Sequence, residues 1–513
     1  MKKIITTLSV AFIFSAAIAQ QSVNMQINTK ANTEKISRFI YGHFAEDLGN
    51  CIYGGFWVDS NLNVPKKDRI RLDVVDALKK IHIPVLRWPG GCFADQYHWS
   101  DGIGERSKRP TRVNTTWGMV PDDNSFGTDE FLELCNLIGC EPYIAGNVGT
   151  GTPHEMEDWL EYLNYNGKST LADMRRANGH STPYNVSFWG VGNESWGCGG
   201  NMTPEFYSDQ YKRYAEFCKN YPGTSLKKIA SGSNGDDYNW TDVCMKNIPA
   251  QNMWGISMHY YTIAGTWAAK GSATNFDEAK YFAGLKSCLH IEDLINKHSA
   301  IMDKYDPQKK VALAVDEWGI WTDVEPGTNP AFLYQQNSLR DALIAASTLN
   351  IFNDHCDRVK LASLAQTVNV LQSLVLTDKE KMVLTPTYYV FDLYKYHQDA
   401  TLLPVHFYSP EYNYGNDSIP AVNASASKDS NAVIHITLVN IDPKNKISVS
   451  ANMNGVKFNQ TTGEVLTSKN FTDVNSFDDP NKVKPVAFTD FKNNDGMLSI
   501  NLPPMSVVLI TLK

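Results

Sequence analysis

Metal-binding spacing is missing from this chain of 513 residues: it contains neither Cys-x-x-Cys nor His-Glu-x-x-His, so neither a structural nor a catalytic zinc has sequence support. Nucleotide signals are incomplete as well. Gly190-Val191-Gly192 is followed by Ser195 where a dinucleotide fingerprint needs its third glycine, and Gly167-Lys168-Ser169 has Tyr162 where a phosphate-binding loop needs glycine. No basic cluster is present and the formal charge is -8, which argues against a nucleic-acid partner. No apolar run reaches the roughly 20 residues that span a bilayer, so no membrane role is expected. The nine cysteines are odd in number, widely spaced and absent after Cys356. In a chain this long most are read as buried free thiols, with room for one bridged pair.

Lys2 and Lys3, the apolar stretch Ile4 to Ala17, and the small-residue pattern Ala17-Ile18-Ala19 have the form of a secretory leader over residues 1–19. The expectation is an exported, periplasmic or extracellular protein. Residues 20–513 are too many for one core, and two domains are expected.

Eight short apolar runs end in polar residues: Ile40 to Phe44, Pro84 to Trp88, Pro142 to Asn147, Phe188 to Glu194, Lys228 to Asn234, Ile256 to Tyr261, Val311 to Glu317 and Val359 to Gln366. Amphipathic segments of helical spacing lie between most of them, among them Arg69 to Lys80, Pro204 to Lys219 and Gln335 to Leu349. The alternation predicts an α/β fold, a TIM (β/α)8 barrel over residues 40–398, in preference to an open doubly wound sheet. From residue 399 to 513 the pattern becomes short alternating runs separated by Asn, Asp, Gly, Lys and Pro, which predicts an all-β sandwich. Within residues 20–39, Val23 to Asn28 alternates too and is expected to add a strand to that sandwich.

Active sites of such barrels lie at the C-terminal strand ends. That places Glu194 after the fourth strand and Glu317 on the seventh, with Arg87, Asn193, His259, Tyr261 and Gln366 on the same rim. Each glutamate closes an apolar run and stands close before tryptophan and glycine. Two convergent carboxyls suffice to cleave a glycosidic bond with retention when about 5 to 5.5 Å apart. Arg87 would keep Glu317 ionised as nucleophile, whereas Glu194, near Trp189 and Trp196 and a second negative charge, would hold its proton as general acid/base. Asn193 is a donor for a sugar hydroxyl, and Trp321 offers a flat face to a leaving sugar. An endo-β-glucanase or β-xylosidase with the same glutamates, and a non-catalytic carbohydrate-binding protein, are the alternatives.

Tyr41-Gly42-His43-Phe44-Ala45-Glu46, Arg87-Trp88-Pro89-Gly90-Gly91-Cys92-Phe93, Asn124-Ser125-Phe126-Gly127-Thr128-Asp129-Glu130-Phe131, Gly192-Asn193-Glu194 and Asp316-Glu317-Trp318 together resemble the non-reducing-end α-L-arabinofuranosidases of glycoside hydrolase family 51. The resemblance implies a jelly-roll-like sandwich beside the barrel and a retaining exo-acting enzyme on terminal arabinofuranosyl groups of oligo- or polysaccharides. It implies no cofactor and a homo-oligomer, often a hexamer. It assigns Glu194 as acid/base, Glu317 as nucleophile, Glu46, Cys92, Asn193, Tyr261 and Gln366 as sugar contacts, and Arg87 and His259 as support. Asn193-Glu194-Ser195 is formally a glycosylation acceptor, and a glycan there would block the site.

Overall fold

The computed structural model describes residues 21–31, 34–453, 456–494 and 496–513, so the leader-like residues 1–19 lie outside the described part. Eight parallel strands close into a barrel: Gly42–Phe44, Val85–Trp88, Glu141–Gly146, Phe188–Val191, Lys227–Asn234, Gly255–Thr262, Ala312–Ile320 and Val359–Leu364, the eighth pairing with the first. They are apolar because they are covered on both faces, by helices outside and by one another's side chains within. Val85, Tyr143, Phe188, Ile229, Ala314 and Leu361 form a separate buried cluster, contributed by six different strands.

Helices follow local capping rules. Thr203 precedes Pro204–Phe217 and its hydroxyl accepts the Phe206 N–H, with proline in the first turn where no amide partner is needed. Helix Thr128–Ile138 starts one residue earlier than a Thr128 cap would place it. The Glu130 carboxylate accepts the Gly127 N–H, and a Cβ on Gly127 would lie 1.9 Å from the Gly102 carbonyl oxygen, so only glycine fits that approach.

Two sheets form the second unit. One orders Val405–His406, Gln21–Ile27, Ile447–Asn452, Met497–Leu502 and Phe491–Asn494; the other orders Thr401–Leu403, Val422–Lys428, Ile434–Asn440, Ser506–Leu512, Thr461–Thr467 and Val486–Ala487. Gln21–Ile27 runs parallel to Ile447–Asn452 with Val23 opposite Val449, so Val23, Met25 and Ile27 point inward and Ser22, Asn24 and Gln26 outward.

Leu339–Asp354 departs from the amphipathic expectation. It is buried nearly all round, including Arg340, Asp341, Asn350 and Asn353, because it lies between the barrel and the second unit. Two of its asparagines bond to the elements on either side: Asn350 Oδ1 accepts from the Thr437 hydroxyl of the second unit at 2.8 Å and Asn353 Oδ1 from Tyr41, beside the first barrel strand, at 2.7 Å. Among the described residues no helix is long and apolar enough to cross a membrane.

Met25 is fully buried in the N-terminal strand. Met25→Ala is expected to cost about 2–5 kcal/mol and Gln26→Ala, on the exposed face, no more than about 0.5 kcal/mol. Calorimetric unfolding of the two variants measures the difference.

Candidate active site

The site is built around Arg87. This guanidinium stands at the end of the second barrel strand, 2% exposed, with Phe44 4.5 Å from its carbon on one side and Tyr143 at 5.7 Å. Nη1 donates to Glu317 Oε1 at 2.8 Å and Nη2 to Asn193 Oδ1 at 2.6 Å. The second bond commits Asn193 Oδ1 to Arg87 and leaves Nδ2 as a donor, 3.9 Å from Cys198 Sγ.

Consecutive residues on a strand normally face opposite ways. Asp316 and Glu317 nevertheless both reach the barrel mouth, because the seventh strand shifts register against the sixth between Ser257 and His259 and against the eighth between Val315 and Trp318. Glu317 Oε2 accepts from the Tyr261 hydroxyl at 2.8 Å. Asp316 accepts from Tyr143 at 2.6 Å and lies 3.1 Å from His259 Nε2. His259 Nδ1 lies 2.9 Å from Glu194 Oε1 and 3.5 Å from Glu317 Oε2, so the imidazole bridges the two glutamates. One ring nitrogen of His259 and one carboxyl oxygen each of Glu194 and Glu317 lie within 4.8 Å of one another.

Charge follows from these contacts. Burial alone would strip the His259 proton, but Glu317, Asp316 and Glu194 around it outweigh that and raise its pKa to about 10. Burial would also raise Asp316, yet Arg87, His259 and Tyr143 hold it below the usual carboxylate range. Glu194 is pushed upward by burial and by Glu317, against the opposing pull of His259. Of the carboxyls that touch His259, Glu194 is the one whose pKa is driven upward.

Glu194 sits just past the fourth strand with φ of +38°, a conformation in which a non-glycine residue is strained. Glycines let the loops close on it. A Cβ on Gly199 would lie 1.8 Å from the Asn193 carbonyl oxygen, and one on Gly91 would lie 2.7 Å from Glu317 Oε1.

A wall stands beside the two glutamates. Glu46 accepts from the Phe93 amide at 3.0 Å, from Trp117 Nε1 at 2.8 Å and from Gln366 Nε2 at 2.9 Å, and burial with the nearby Glu317 charge pushes its pKa to about 7. Trp321 meets Tyr261 edge to face at 5.1 Å and Trp267 at 5.5 Å, with Trp267 59% exposed and the Lys270 ammonium over both indoles. All ten residues singled out from sequence therefore converge. Cys92 is bonded to Cys198, the one bridged pair for which the sequence left room, while the other seven cysteines are free.

Asp316, Tyr143, Asp95, Trp117, Trp267 and Cys198 belong to the site and were missed. Asp95 accepts the amides of Val148, Gly149 and Asn193, tying three loops together. Trp117 is carried by the hairpin of Arg112–Asn114 and Val120–Asp122, whose residues show no strand alternation. Asp316 was legible only as the neighbour of Glu317. Neither donor cluster has the character of a metal site: both His259 nitrogens face carboxylates, and the Cys92 and Cys198 sulfurs are bonded to each other. A concavity of about 950 Å³ elsewhere, beside Arg106 and Glu130, is lined by charges paired across it and holds no comparable constellation.

Residues 77–280 match the family described as the alpha-L-arabinofuranosidase 1 domain and residues 316–506 the one described as the alpha-L-arabinofuranosidase C-terminal domain. A Bacteroides ovatus protein named intracellular exo-alpha-L-arabinofuranosidase is 50% identical over 496 residues, covering 96% of both chains. The chain belongs to the family 51 arabinofuranosidases. The crystal structure of the family 51 arabinofuranosidase from Xanthomonas axonopodis pv. citri superposes with a TM-score of 0.94 at 48% identity, over 96% of this chain and 100% of that one. The arabinose complex of the Thermotoga maritima alpha-L-arabinofuranosidase gives 0.83 at 32% identity, over 96% and 99%. The Bacteroides relative overturns one expectation. It is named intracellular, and the export inferred from residues 1–19 is withdrawn.

His259 supplies a pH test. Its folded pKa of about 10 exceeds the ordinary value of 6.5, so the stabilisation it brings is fully present below pH 6.5 and is lost as pH rises towards 10. Thermal unfolding followed between those limits is expected to show a falling midpoint in the parent and a flatter profile in His259→Asn.

Proposed function

We propose that this family 51 enzyme is a retaining exo-α-L-arabinofuranosidase, with Glu317 as nucleophile and Glu194 as acid/base. The observation that carries the reading is the spacing and unequal surroundings of the two carboxyls. One oxygen of each lies within 4.8 Å of one oxygen of the other, in keeping with the retaining separation of about 5 to 5.5 Å and short of the roughly 6.5 Å at which a water fits between. One is held by a guanidinium and a phenol, the other by an imidazolium, buried and raised in pKa.

In the first step a Glu317 oxygen lone pair forms a bond to the anomeric carbon as the glycosidic bond breaks. The bond electrons pass to the leaving oxygen, which takes the Glu194 proton. In the second step Glu194, now a carboxylate, removes a proton from water, the water oxygen attacks the same carbon and Glu317 departs. Two inversions return the original configuration. Asn193 Nδ2 and the Glu46, Gln366 and Trp117 wall hold the one bound furanose, and that wall supports exo rather than endo action. Trp321 and Trp267 give the leaving sugar its platform. Arabinan, arabinoxylan and arabinogalactan all present the terminal group this site accepts.

The enzyme is expected to hydrolyse 4-nitrophenyl α-L-arabinofuranoside and to leave the corresponding glucoside, xyloside and galactoside nearly untouched; comparable turnover of the glucoside or xyloside would favour an endo-acting or xylosidase reading. Glu317→Ala is expected to lower kcat by about 10⁴-fold or more. Proton NMR of the first-formed arabinose should show the α-anomer, and an initial β-anomer would refute double displacement.

A further inference from the structure

We infer that the Cys92–Cys198 bond is a positioning element for Glu194, and that opening it by thiol exchange weakens proton delivery from that carboxyl to the leaving sugar. The inference rests on the acid/base assignment of Glu194.

The bond joins two loops 106 residues apart in sequence, with Cα atoms 5.5 Å apart. Cys92 lies between Gly91, packed against Glu317, and Phe93, whose amide holds Glu46. Cys198 lies in the tight turn that Glu194 begins, where the amides of Gly197 and Gly199 both donate to the Glu194 carbonyl. The staple therefore ties the wall of the furanose pocket to the turn that aims the proposed acid.

Its sulfurs also face the carboxyl itself. Cys198 Sγ stands 3.4 Å and Cys92 Sγ 3.7 Å from Glu194 Oε2, while Oε1 belongs to His259. A disulfide sulfur carries no hydrogen, so in the closed form neither can donate to Oε2, and that oxygen retains the proton a leaving group takes. Reduction replaces the bond by two S–H groups directed at the same oxygen. Donors stabilise the carboxylate over the acid. The other charged and titratable groups around the site are Arg87 from the second strand, His259 and Tyr261 from the sixth, and Asp316 and Glu317 from the seventh. Asp95, which binds the Asn193 amide, and Glu46 on the first-strand loop complete that set.

Access favours exchange at Cys198, which is exposed, over Cys92, which is half-buried. A dithiol reductant attacks Cys198 Sγ with its thiolate, and Cys92 leaves as a thiolate and takes a proton. The second thiol of the reductant then attacks the mixed disulfide, frees Cys198 to be protonated, and closes the reductant into a cyclic disulfide. Two electrons and two protons pass to the protein. A reducing compartment keeps the pair open and an oxidising one keeps it closed.

The test compares two substrates on the purified full-length enzyme before and after dithiothreitol, with thiol titration showing the count rising from seven free cysteines to nine. An alkyl α-L-arabinofuranoside cannot leave without a proton, whereas 4-nitrophenolate can. Reduction is expected to move the alkaline limb of kcat/KM for the alkyl substrate to lower pH, with a fall of about three- to tenfold on that side, and to change the 4-nitrophenyl rate less than about twofold. Cys198→Ser should hold the limb at the reduced position with or without dithiothreitol. An equal fall for both substrates would mean a loosened pocket and overturn the inference, as would unchanged profiles once nine thiols are titrated. Failure of the untreated enzyme to hydrolyse either arabinofuranoside would instead overturn the activity reading on which this rests.

Discussion

A buried balance of charge holds the active site together. Arg87 and His259 are set against Asp316 and Glu317 at the mouth of the barrel, all nearly shielded from solvent. Isolated ions would be intolerable there, and each is kept only because opposite charges and hydrogen bonds surround it. His259 touches three carboxylates and Arg87 is sandwiched by Phe44 and Tyr143. Removing one member would strand its partners, so the network acts as a unit. Within it, burial and the neighbouring Glu317 disfavour a negative charge on Glu194.

That balance is reached through local irregularities in a regular barrel. The shift of register around Asp316 and Glu317 brings two successive acids to one mouth, which plain alternation would forbid. Gly90 and Gly91 let the loop after the second strand pass against Glu46 and Glu317, where any side chain would collide. The positive φ of Glu194 turns its carboxyl back over the site instead of along the strand. The same turn is stapled through Cys198 to the loop of Cys92, so the placement of the proposed acid depends on chain segments far apart in sequence.

Much of this was legible from residue order. The eight barrel strands coincide with eight apolar runs because parallel strands covered on both faces must be apolar throughout. Arg87, Asn193, His259, Glu317 and Gln366 could be placed on one rim by a rule of barrel architecture alone. Trp117 and Trp267 could not, since they arrive on loops whose course no periodicity encodes. Leu339–Asp354 was readable as a helix but not as a fully buried one, because burial on its second face comes from a unit formed later in the chain. The leader-like pattern of residues 1–19 pointed to export, which the name of the intracellular Bacteroides relative contradicts.

What the amino-acid sequence determined by itself is the alternation of strand and helix, the family and the set of side chains available for catalysis, since these rest on periodicity and short motifs. Tertiary structure alone decided that Cys92 is bonded to Cys198 and that His259 bridges both glutamates. Those outcomes depend on distances between segments up to 123 residues apart, and on the combined field of charges that become neighbours only when the barrel closes.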